Sequence, residues 1–165
     1  MIRPARIEDA AEIARIHVET WRAAYAGIMP ADFLAKLSVE NRKRQWDYSL
    51  NQNVRDFFVA DDGSTMAGWC FSSLVRNGAS SVIGEVFALY VSPELQGCGH
   101  GQALMVATEA DFRARGVRES VLRVLEANQP GRAFYERFGY VRDGEAGPET
   151  FGALALPVLR YRKKL

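Results

Sequence analysis

Three alternating glycines, Gly97, Gly99 and Gly101, lie between a predicted buried strand and a predicted helix. Glycine lets the main chain approach a ligand closely, and the N–H groups at a helix N-terminus carry about half a positive charge. Such a turn can hold a phosphate or pyrophosphate, although a glycine-rich bend without a ligand is the alternative. It is not a P-loop, because no Gly-Lys-Ser/Thr follows. It is not a dinucleotide fingerprint either, because Gln102 stands where the third glycine is needed.

A second segment, residues 128–140, follows the next predicted strand. Asn128 is placed to cap a helix that has Pro130 in its first turn, and Phe134 and Phe138 fall on one helical face. Read structurally, Asn128 is only a cap and Tyr135 is a half-buried core aromatic.

The hydrophobic periodicity predicts an order of helices and strands that positions both segments. Residues 86–91 and 121–125 enclose the glycine turn and its helix, so they form a βαβ crossover and pair in parallel. The predicted helices are a first one ending near Tyr25, a region over 31–50 that restarts at Ser38, then 102–115 and 129–138. The predicted strands are 2–4, 56–60, 66–75, 81–91, 119–125 and a terminal pair, 140–143 and 153–162, with a loop around Asn77 and Gly78.

Length and composition indicate one domain over residues 1–165, since domains average roughly 150 residues. With 48% hydrophobic and 25% charged residues, the chain can bury a core without a metal or disulfide. The net charge of +1 offers no broad surface for nucleic acid or an anionic membrane. The first seven residues are not a signal peptide, and no apolar stretch is long enough to span a bilayer. We therefore expect a soluble, cytoplasmic protein with no nucleic-acid or membrane partner.

The cysteines and histidines do not have the spacing of a metal site. Cys70 and Cys98 form no CxxC pair, and His17 and His100 form no HExxH motif, so we expect no metal. Cys70 is predicted to be a core residue. Cys98 lies near an electropositive helix start, but the sequence places no partner base beside it.

Together these motifs resemble the GNAT superfamily of N-acetyltransferases. Gln96-x-x-Gly99-x-Gly101 is similar to the Q/R-x-x-G-x-G/A loop of that family, and residues 128–140 are similar to its N-x(6)-Y and Y-E-x-x-G-F/Y segment. Residues 2–5 with Asp9, and the pattern W-R-x-x-Y-x-G-x-x-P over residues 21–30, resemble the N-terminal acceptor region of many small bacterial members.

The resemblance implies an α+β fold, with a mixed, mostly antiparallel central sheet and helices on both faces. One parallel strand pair would be splayed around acetyl-CoA, the co-substrate, because a bulge frees backbone groups of the central strand. Cys98 and His100 depart from the Lys or Arg and the small apolar residue usual there, so coenzyme affinity would depend more on Arg132, Arg137 or His100. The residues implied to bind the coenzyme are Leu89, Tyr90, Val91, Gln96, Gly97, Cys98, Gly99, His100, Gly101, Gln102, Asn128, Arg132, Phe134, Tyr135 and Arg137.

The resemblance also implies catalytic roles. Tyr135 stands at the position of the general acid that protonates the leaving sulfur, and Glu85 could take the proton of the amine directly or through water. The N–H of Leu89 or a neighbour would bind the thioester carbonyl. Alternatively, Glu85 is only a strand glutamate paired with a surface arginine. Arg123 stands where some relatives have a glutamate.

For the acceptor, the resemblance points to Trp21 and Tyr25, four residues apart on one helical face, as an aromatic pocket wall. Both could instead simply pack the helix on the sheet. Glu19 and Asp32 are candidate charges for a cationic acceptor.

Three functions remain open: acetylation of a small-molecule primary amine by direct attack, acetylation of a protein N-terminus or lysine, and acyl-CoA binding without catalysis. The partners are then acetyl-CoA and an amine, and a homodimer through the terminal strands or residues 31–50 is a further partner that the resemblance suggests.

Overall fold

A computed structural model describes residues 1–77 and 81–165, without the side chains of Asn77, Ser81 and Glu145. The loop predicted around Asn77 and Gly78 therefore extends outside the described residues. Backbone contacts divide the chain into two compact units. The first unit comprises residues 1–72 and 88–108, and the second comprises residues 73–87 and 109–165.

The described residues form five α-helices and seven strands. The strands are β1 (Ile2–Pro4), β2 (Phe57–Asp61), β3 (Met66–Asn77), β4 (Ser81–Val91), β5 (Glu119–Leu125), β6 (Val141–Phe151) and β7 (Leu154–Lys164). The helices are α1 (Ala10–Ala24), α2 (Ala31–Ala35), α3 (Val39–Asn53), α4 (His100–Ala114) and α5 (Gln129–Arg137).

The strands are ordered β1-β2-β3-β4-β5-β7-β6. β4 and β5 pair in parallel, whereas β1 with β2, β2 with β3, β5 with β7 and β6 with β7 pair antiparallel. This mixed sheet with a parallel pair around a glycine loop and helix confirms the predicted fold class.

The first unit is built on α1 and α3, which pack against each other. Ser38 caps α3, because its hydroxyl accepts a hydrogen bond from the Asn41 N–H at 3.2 Å, as the predicted restart requires. Near the N-terminus, the Arg3 guanidinium binds the carboxylates of Asp9 and Asp61 and so ties β1 to α1 and β2. The core residues of this unit are Ala5, Ala10, Ile13, Ile16, Leu50, Phe57, Val59, Met66, Trp69 and Ala88, with Trp46, Phe71 and Tyr90 packed against them.

In the second unit, three aromatic residues are buried: Phe112 on α4, Tyr140 just before β6, and Tyr161 on β7. Gly84 on β4 allows Phe112 to pack closely, since a Cβ at Gly84 would come within 2.4 Å of the phenyl ring. The Tyr140 hydroxyl donates to the Ser120 hydroxyl at 2.7 Å, which satisfies both buried groups.

Several element boundaries differ from prediction, notably the end of β6 and the start of α4. β6 runs to Phe151 instead of ending near residue 143, because Asp143 and Ala146 are accommodated as the extra residues of two bulges and Pro148 lies opposite Pro157 on an edge strand. α4 begins at His100, two residues before the predicted start, and so includes Gly101 in its first turn. Among the described residues, no helix combines the length and apolar character needed to cross a membrane.

Candidate functional site

The predicted phosphate-binding turn lies in the first unit, just before α4. Gly97 and Gly99 have φ angles of 79° and 85°, in the left-handed region that favours glycine. A Cβ at either position would meet no protein atom within 4 Å, so the space beside both glycines is open. Among the hydrogen bonds of the described residues outside helices and strands, none is donated by a backbone amide of residues 96–102. The turn therefore presents unpaired N–H groups at a helix N-terminus, as an anion site requires.

The end of β4, residues 89–91, adjoins this turn. Gly68 on β3 permits a close approach there, because a Cβ at Gly68 would lie 2.5 Å from the Tyr90 carbonyl oxygen. The Val91 carbonyl accepts hydrogen bonds from the Thr20 hydroxyl at 3.3 Å and from the Gln96 side-chain amide at 3.2 Å. Both lone pairs of this oxygen are thus used within the protein.

The parallel pairing of β4 and β5 covers a short stretch. The paired positions are Gly84 with Ser120, Glu85 with Val121 and Val86 with Leu122, whereas β5 itself continues to Leu125. Glu85 is buried, and its carboxylate lies 3.5 Å from the Arg123 guanidinium. An ion pair with a surface arginine is what the sequence analysis predicts for Glu85 if it is only a strand glutamate. The role of Glu85 as a base stays a prediction.

In the second unit, Asn128 caps α5 as predicted. Its side-chain oxygen accepts a hydrogen bond from the Gly131 N–H at 3.0 Å, and a Cβ at residue 131 would clash with the Asn128 amide at 2.7 Å. Tyr135 is half-buried and contacts the rings of Phe134 and Tyr140. The Phe134 and Phe138 rings stack 6.2 Å apart, which confirms their predicted common face.

Sequence reasoning missed a network that holds Arg132. The Arg132 guanidinium donates to the hydroxyl of buried Tyr161 at 3.2 Å and to the Glu126 carbonyl at 3.1 Å. The Tyr161 hydroxyl in turn donates to the Glu136 carboxylate at 2.7 Å, and these contacts raise the pKa of Arg132. Tyr161 is 29 residues from Arg132, so no local spacing could have indicated the contact.

The predicted acceptor residues belong to an aromatic cluster in the first unit. Tyr25 packs edge-on against Trp21 with ring centroids 5.1 Å apart, and Phe33 on α2 lies 6.5 Å from Trp21. The Trp21 indole N–H donates to the Tyr90 hydroxyl at 2.9 Å, which links α1 to the end of β4. The predicted acceptor wall is therefore in direct contact with the end of β4.

His17, which the sequence analysis considered only as a metal ligand, lies at the centre of this cluster. The rings of Trp21, Trp46, Trp69 and Tyr90 surround it at 5.0–6.1 Å, and 5% of its surface is exposed. The Trp46 indole donates to Nδ1 of the histidine at 3.1 Å, so Nε2 carries the proton of the neutral ring. No acceptor for Nε2 exists among the described residues. Burial, assisted by the positive charge of Arg42, lowers the pKa of His17 to about 3.

This depressed pKa predicts acid sensitivity. The unfolded chain protonates His17 near its ordinary pKa of 6.5, whereas the folded chain resists protonation until about 3. The free energy of unfolding therefore keeps its full value above pH 6.5 and decreases as the pH falls toward 3, because the unfolded chain then binds a proton that the folded chain does not. The decrease between pH 7 and pH 5 is about 2 kcal/mol. His17→Asn keeps an acceptor for the Trp46 indole but does not titrate. Urea unfolding at both pH values should show the loss in the original protein and not in the variant, and equal losses would contradict this account.

The remaining predicted residues differ in their exposure. Cys98 is exposed between Gly97 and Gly99, and Cys70 is buried as predicted, with its pKa raised to about 12 by burial. His100 is the first residue of α4, and Arg137 is exposed at the end of α5. The first unit thus holds Trp21, Tyr25, Leu89, Tyr90, Val91 and residues 96–102, and the second holds Glu85, Asn128, Arg132, Phe134, Tyr135 and Arg137.

Comparison with known proteins gives consistent matches. The sequence profile of the Acetyltransferase (GNAT) family matches residues 12–140. The uncharacterized N-acetyltransferase YuaI of Bacillus subtilis is 29% identical over 152 residues, covering 92% of this chain and 86% of that protein. The spermidine N(1)-acetyltransferase of Thermoplasma acidophilum is 27% identical, covering 84% of this chain and 86% of that protein. A crystal structure of the PaiA N-acetyltransferase from Thermoplasma acidophilum, in complex with coenzyme A, matches with a TM-score of 0.76 and 25% identity over 100% of this chain and 98% of that one.

The family match includes both motifs that the sequence analysis singled out, and the structural match covers every strand and helix described above. Both agree with the predicted fold and with the prediction of an acetyltransferase enzyme. The chain therefore belongs to the GNAT family of acetyltransferases.

Proposed function

We propose that this enzyme transfers the acetyl group of acetyl-CoA to a primary amine of a small molecule, by direct attack within a ternary complex. The observation that carries the proposal is the turn at Gly97 and Gly99, whose left-handed backbone leaves amides unpaired at the start of α4. A relative named as a spermidine acetyltransferase gives a precedent for a small-molecule amine acceptor.

The turn fits the pyrophosphate of a coenzyme. Its open glycines allow phosphate oxygens to reach the backbone N–H groups, and the helix dipole of α4 favours negative charge there. Gln96 contributes through its backbone, because its side chain already binds the Val91 carbonyl. Because the Val91 carbonyl is already hydrogen-bonded, we assign the coenzyme contacts of β4 to Leu89 and Tyr90 rather than to the Val91 oxygen.

We give the side-chain contacts with the coenzyme phosphates to Arg132, Arg137 and His100, since position 98 holds a cysteine in place of a lysine or arginine. Arg132 is held in place by Tyr161, so it can bind an anion without losing much side-chain freedom. Asn128 and Phe134 complete the proposed coenzyme contacts on α5.

Acetyl-CoA supplies the activated acetyl group and a thiolate leaving group. An amine with a pKa near 10 is mostly protonated at neutral pH and must lose a proton before it attacks. We assign acceptance of that proton to Glu85, directly or through water, and donation of a proton to the departing sulfur to the Tyr135 hydroxyl. The Leu89 N–H stabilises the oxyanion that forms on the thioester carbonyl.

A thiol-release assay tests this function. Purified protein is mixed with acetyl-CoA and separate amines: polyamines, amino acids, aminoglycosides and peptides. Release of coenzyme A with one small-molecule class supports the proposed acceptor. Double-reciprocal plots of the initial rates that intersect support direct transfer in a ternary complex. Activity on peptides alone would instead favour protein acetylation. Coenzyme binding without turnover on any amine would favour a non-catalytic module.

The aromatic wall predicts a selective kinetic effect. Tyr25→Ala removes the ring that packs on Trp21 and should raise the KM for the amine by about tenfold, with little change in the KM for acetyl-CoA. Steady-state kinetics with each substrate varied in turn provides the measurement. Tyr48→Ala is the control, because Tyr48 is exposed on α3. Equal effects on both KM values, or a lower melting temperature with unaltered kinetics, would assign Tyr25 to the core.

A further inference from the structure

The positively charged side chain of Arg42 contacts the aromatic cluster that we propose to line the acceptor site. The guanidinium carbon of Arg42, on α3, lies 5.8 Å from the centroid of the Trp21 ring. Arg42 is half-buried, and its positive charge helps to lower the pKa of His17, which lies against the same ring. The field of Arg42 therefore acts inside the cluster and not only at the surface of α3.

Among the side chains that the structure describes, no carboxylate pairs with Arg42. Its described hydrogen bond goes to the neutral side chain of Gln45, at 2.8 Å. The acidic side chains of α1 and α3 are all engaged by other bases. Glu12 and Glu19 pair with Arg15, Glu40 pairs with Arg44, and Asp47 pairs with Lys43.

This distribution disfavours the cationic acceptor that the sequence suggested through Glu19 and Asp32. Glu19 is already paired with Arg15, a cation that it shares with Glu12. Asp32, the other acid that the sequence suggested, is exposed on α2 next to Phe33. A polycationic substrate would thus approach Trp21 against the charge of Arg42, whereas an anionic group would pair with it.

We propose that the acceptor amine carries an anionic group, a carboxylate or a phosphate, and that Arg42 binds that group beside Trp21. This inference rests on the proposed function and specifies its substrate class. A guanidinium presents a planar, two-pronged set of donors that matches either group, and its packing on an indole ring orients those donors in advance. Both groups are anions, and the substrates used in the test distinguish a carboxylate from a phosphate.

The experiment compares four amines: glutamate as a carboxylate, phosphoethanolamine as a phosphate, tyramine without an acidic group, and spermidine as a polycation. We expect one of the two anionic amines to have the highest kcat/KM. Arg42→Gln should raise its KM by roughly 10- to 100-fold while the KM for acetyl-CoA stays unchanged. Arg42→Lys should recover part of the loss. Arg44→Gln, an equal charge change at an exposed site on the same helix, should have no effect.

Asp32→Asn tests the alternative of a polycationic acceptor. If spermidine is the best substrate, and if its KM rises with Asp32→Asn and falls with Arg42→Gln, the inference is wrong. A preference for tyramine that is indifferent to Arg42 would equally overturn it. Melting temperatures of all variants without ligand show whether they fold.

A binding readout separates this inference from the proposed function. The better anionic amine should raise the melting temperature of the CoA-bound protein, and this shift should be absent in Arg42→Gln and retained in Arg44→Gln. If that shift is seen while no amine is acetylated, the anion site stands and the proposed catalysis fails. If amines are acetylated but no Arg42-dependent shift or KM effect appears, the proposed catalysis stands and the anion site is wrong.

Discussion

Tyr135→Phe is expected to lower kcat by roughly 100-fold or more, because proton donation by a positioned side chain contributes at least this much to catalysis. The substitution removes one oxygen atom and keeps the ring that packs between Phe134 and Tyr140. Coenzyme affinity and melting temperature should therefore remain close to those of the original protein. Pre-steady-state measurement of thiol release gives the rate of the chemical step directly.

Tyr48→Phe is the matched control for this prediction, since it removes a hydroxyl from an exposed tyrosine on α3. Its rate should equal that of the original protein. Unchanged turnover in Tyr135→Phe, with chemistry shown to limit the rate, would return Tyr135 to a packing role. A lowered melting temperature that accounts for the lost activity would have the same meaning.

Gly99→Val is expected to abolish the stabilisation of the protein by acetyl-CoA. A branched Cβ would fill the open space beside residue 99, where phosphate oxygens must reach the backbone, and would strain a φ angle of 85°. At a ligand concentration of 100 times Kd, binding stabilises the original protein by about 2.7 kcal/mol, and a 100-fold loss of affinity would leave about 0.4 kcal/mol. Thermal melting with and without acetyl-CoA measures the difference.

Gly63→Val supplies the control for backbone strain. Gly63 has a φ of 95° in the turn between β2 and β3, and nothing lies within 4 Å of a Cβ placed there. Both variants should lose stability of order 1–3 kcal/mol, but Gly63→Val should keep the full acetyl-CoA shift. A full shift in Gly99→Val would mean that the turn does not bind the coenzyme. Gly101 is a weaker position for this test, because it lies in the first turn of α4 and outside the left-handed region.

The features that the sequence predicted well depend on short-range patterns. The cap at Ser38, the cap at Asn128 and the Phe134–Phe138 pair each involve residues three or four positions apart, where helical geometry fixes the contact. The parallel pairing of β4 and β5 also follows from a local rule, the handedness of a crossover through one helix.

The features that the sequence did not predict depend on contacts between distant residues. His17 is one of several apolar-face positions on α1, and only the packing of Trp46, Trp69 and Tyr90 makes it a buried, neutral histidine. Arg42 is one of three consecutive basic residues on α3, so its contact with Trp21 could not be distinguished from solvent exposure.

The length of β6 was missed for a different reason. Gly144, Gly147 and Pro148 each suggest the end of a strand. An edge strand nevertheless tolerates a residue without an N–H donor, and it tolerates the bulges at Asp143 and Ala146 beside the two glycines.

We propose that this enzyme moves an acetyl group from acetyl-CoA to a small-molecule amine, and isotope transfer tests this reaction itself. The purified protein is incubated with acetyl-CoA labelled in the acetyl group and with the panel of amines, and the label is followed by mass spectrometry. We expect labelled amide in one small-molecule class, formed in equal amount with free coenzyme A, and formed far more slowly by Tyr135→Phe. If the label stays on coenzyme A with every amine, or appears only on peptides, the proposed reaction is wrong.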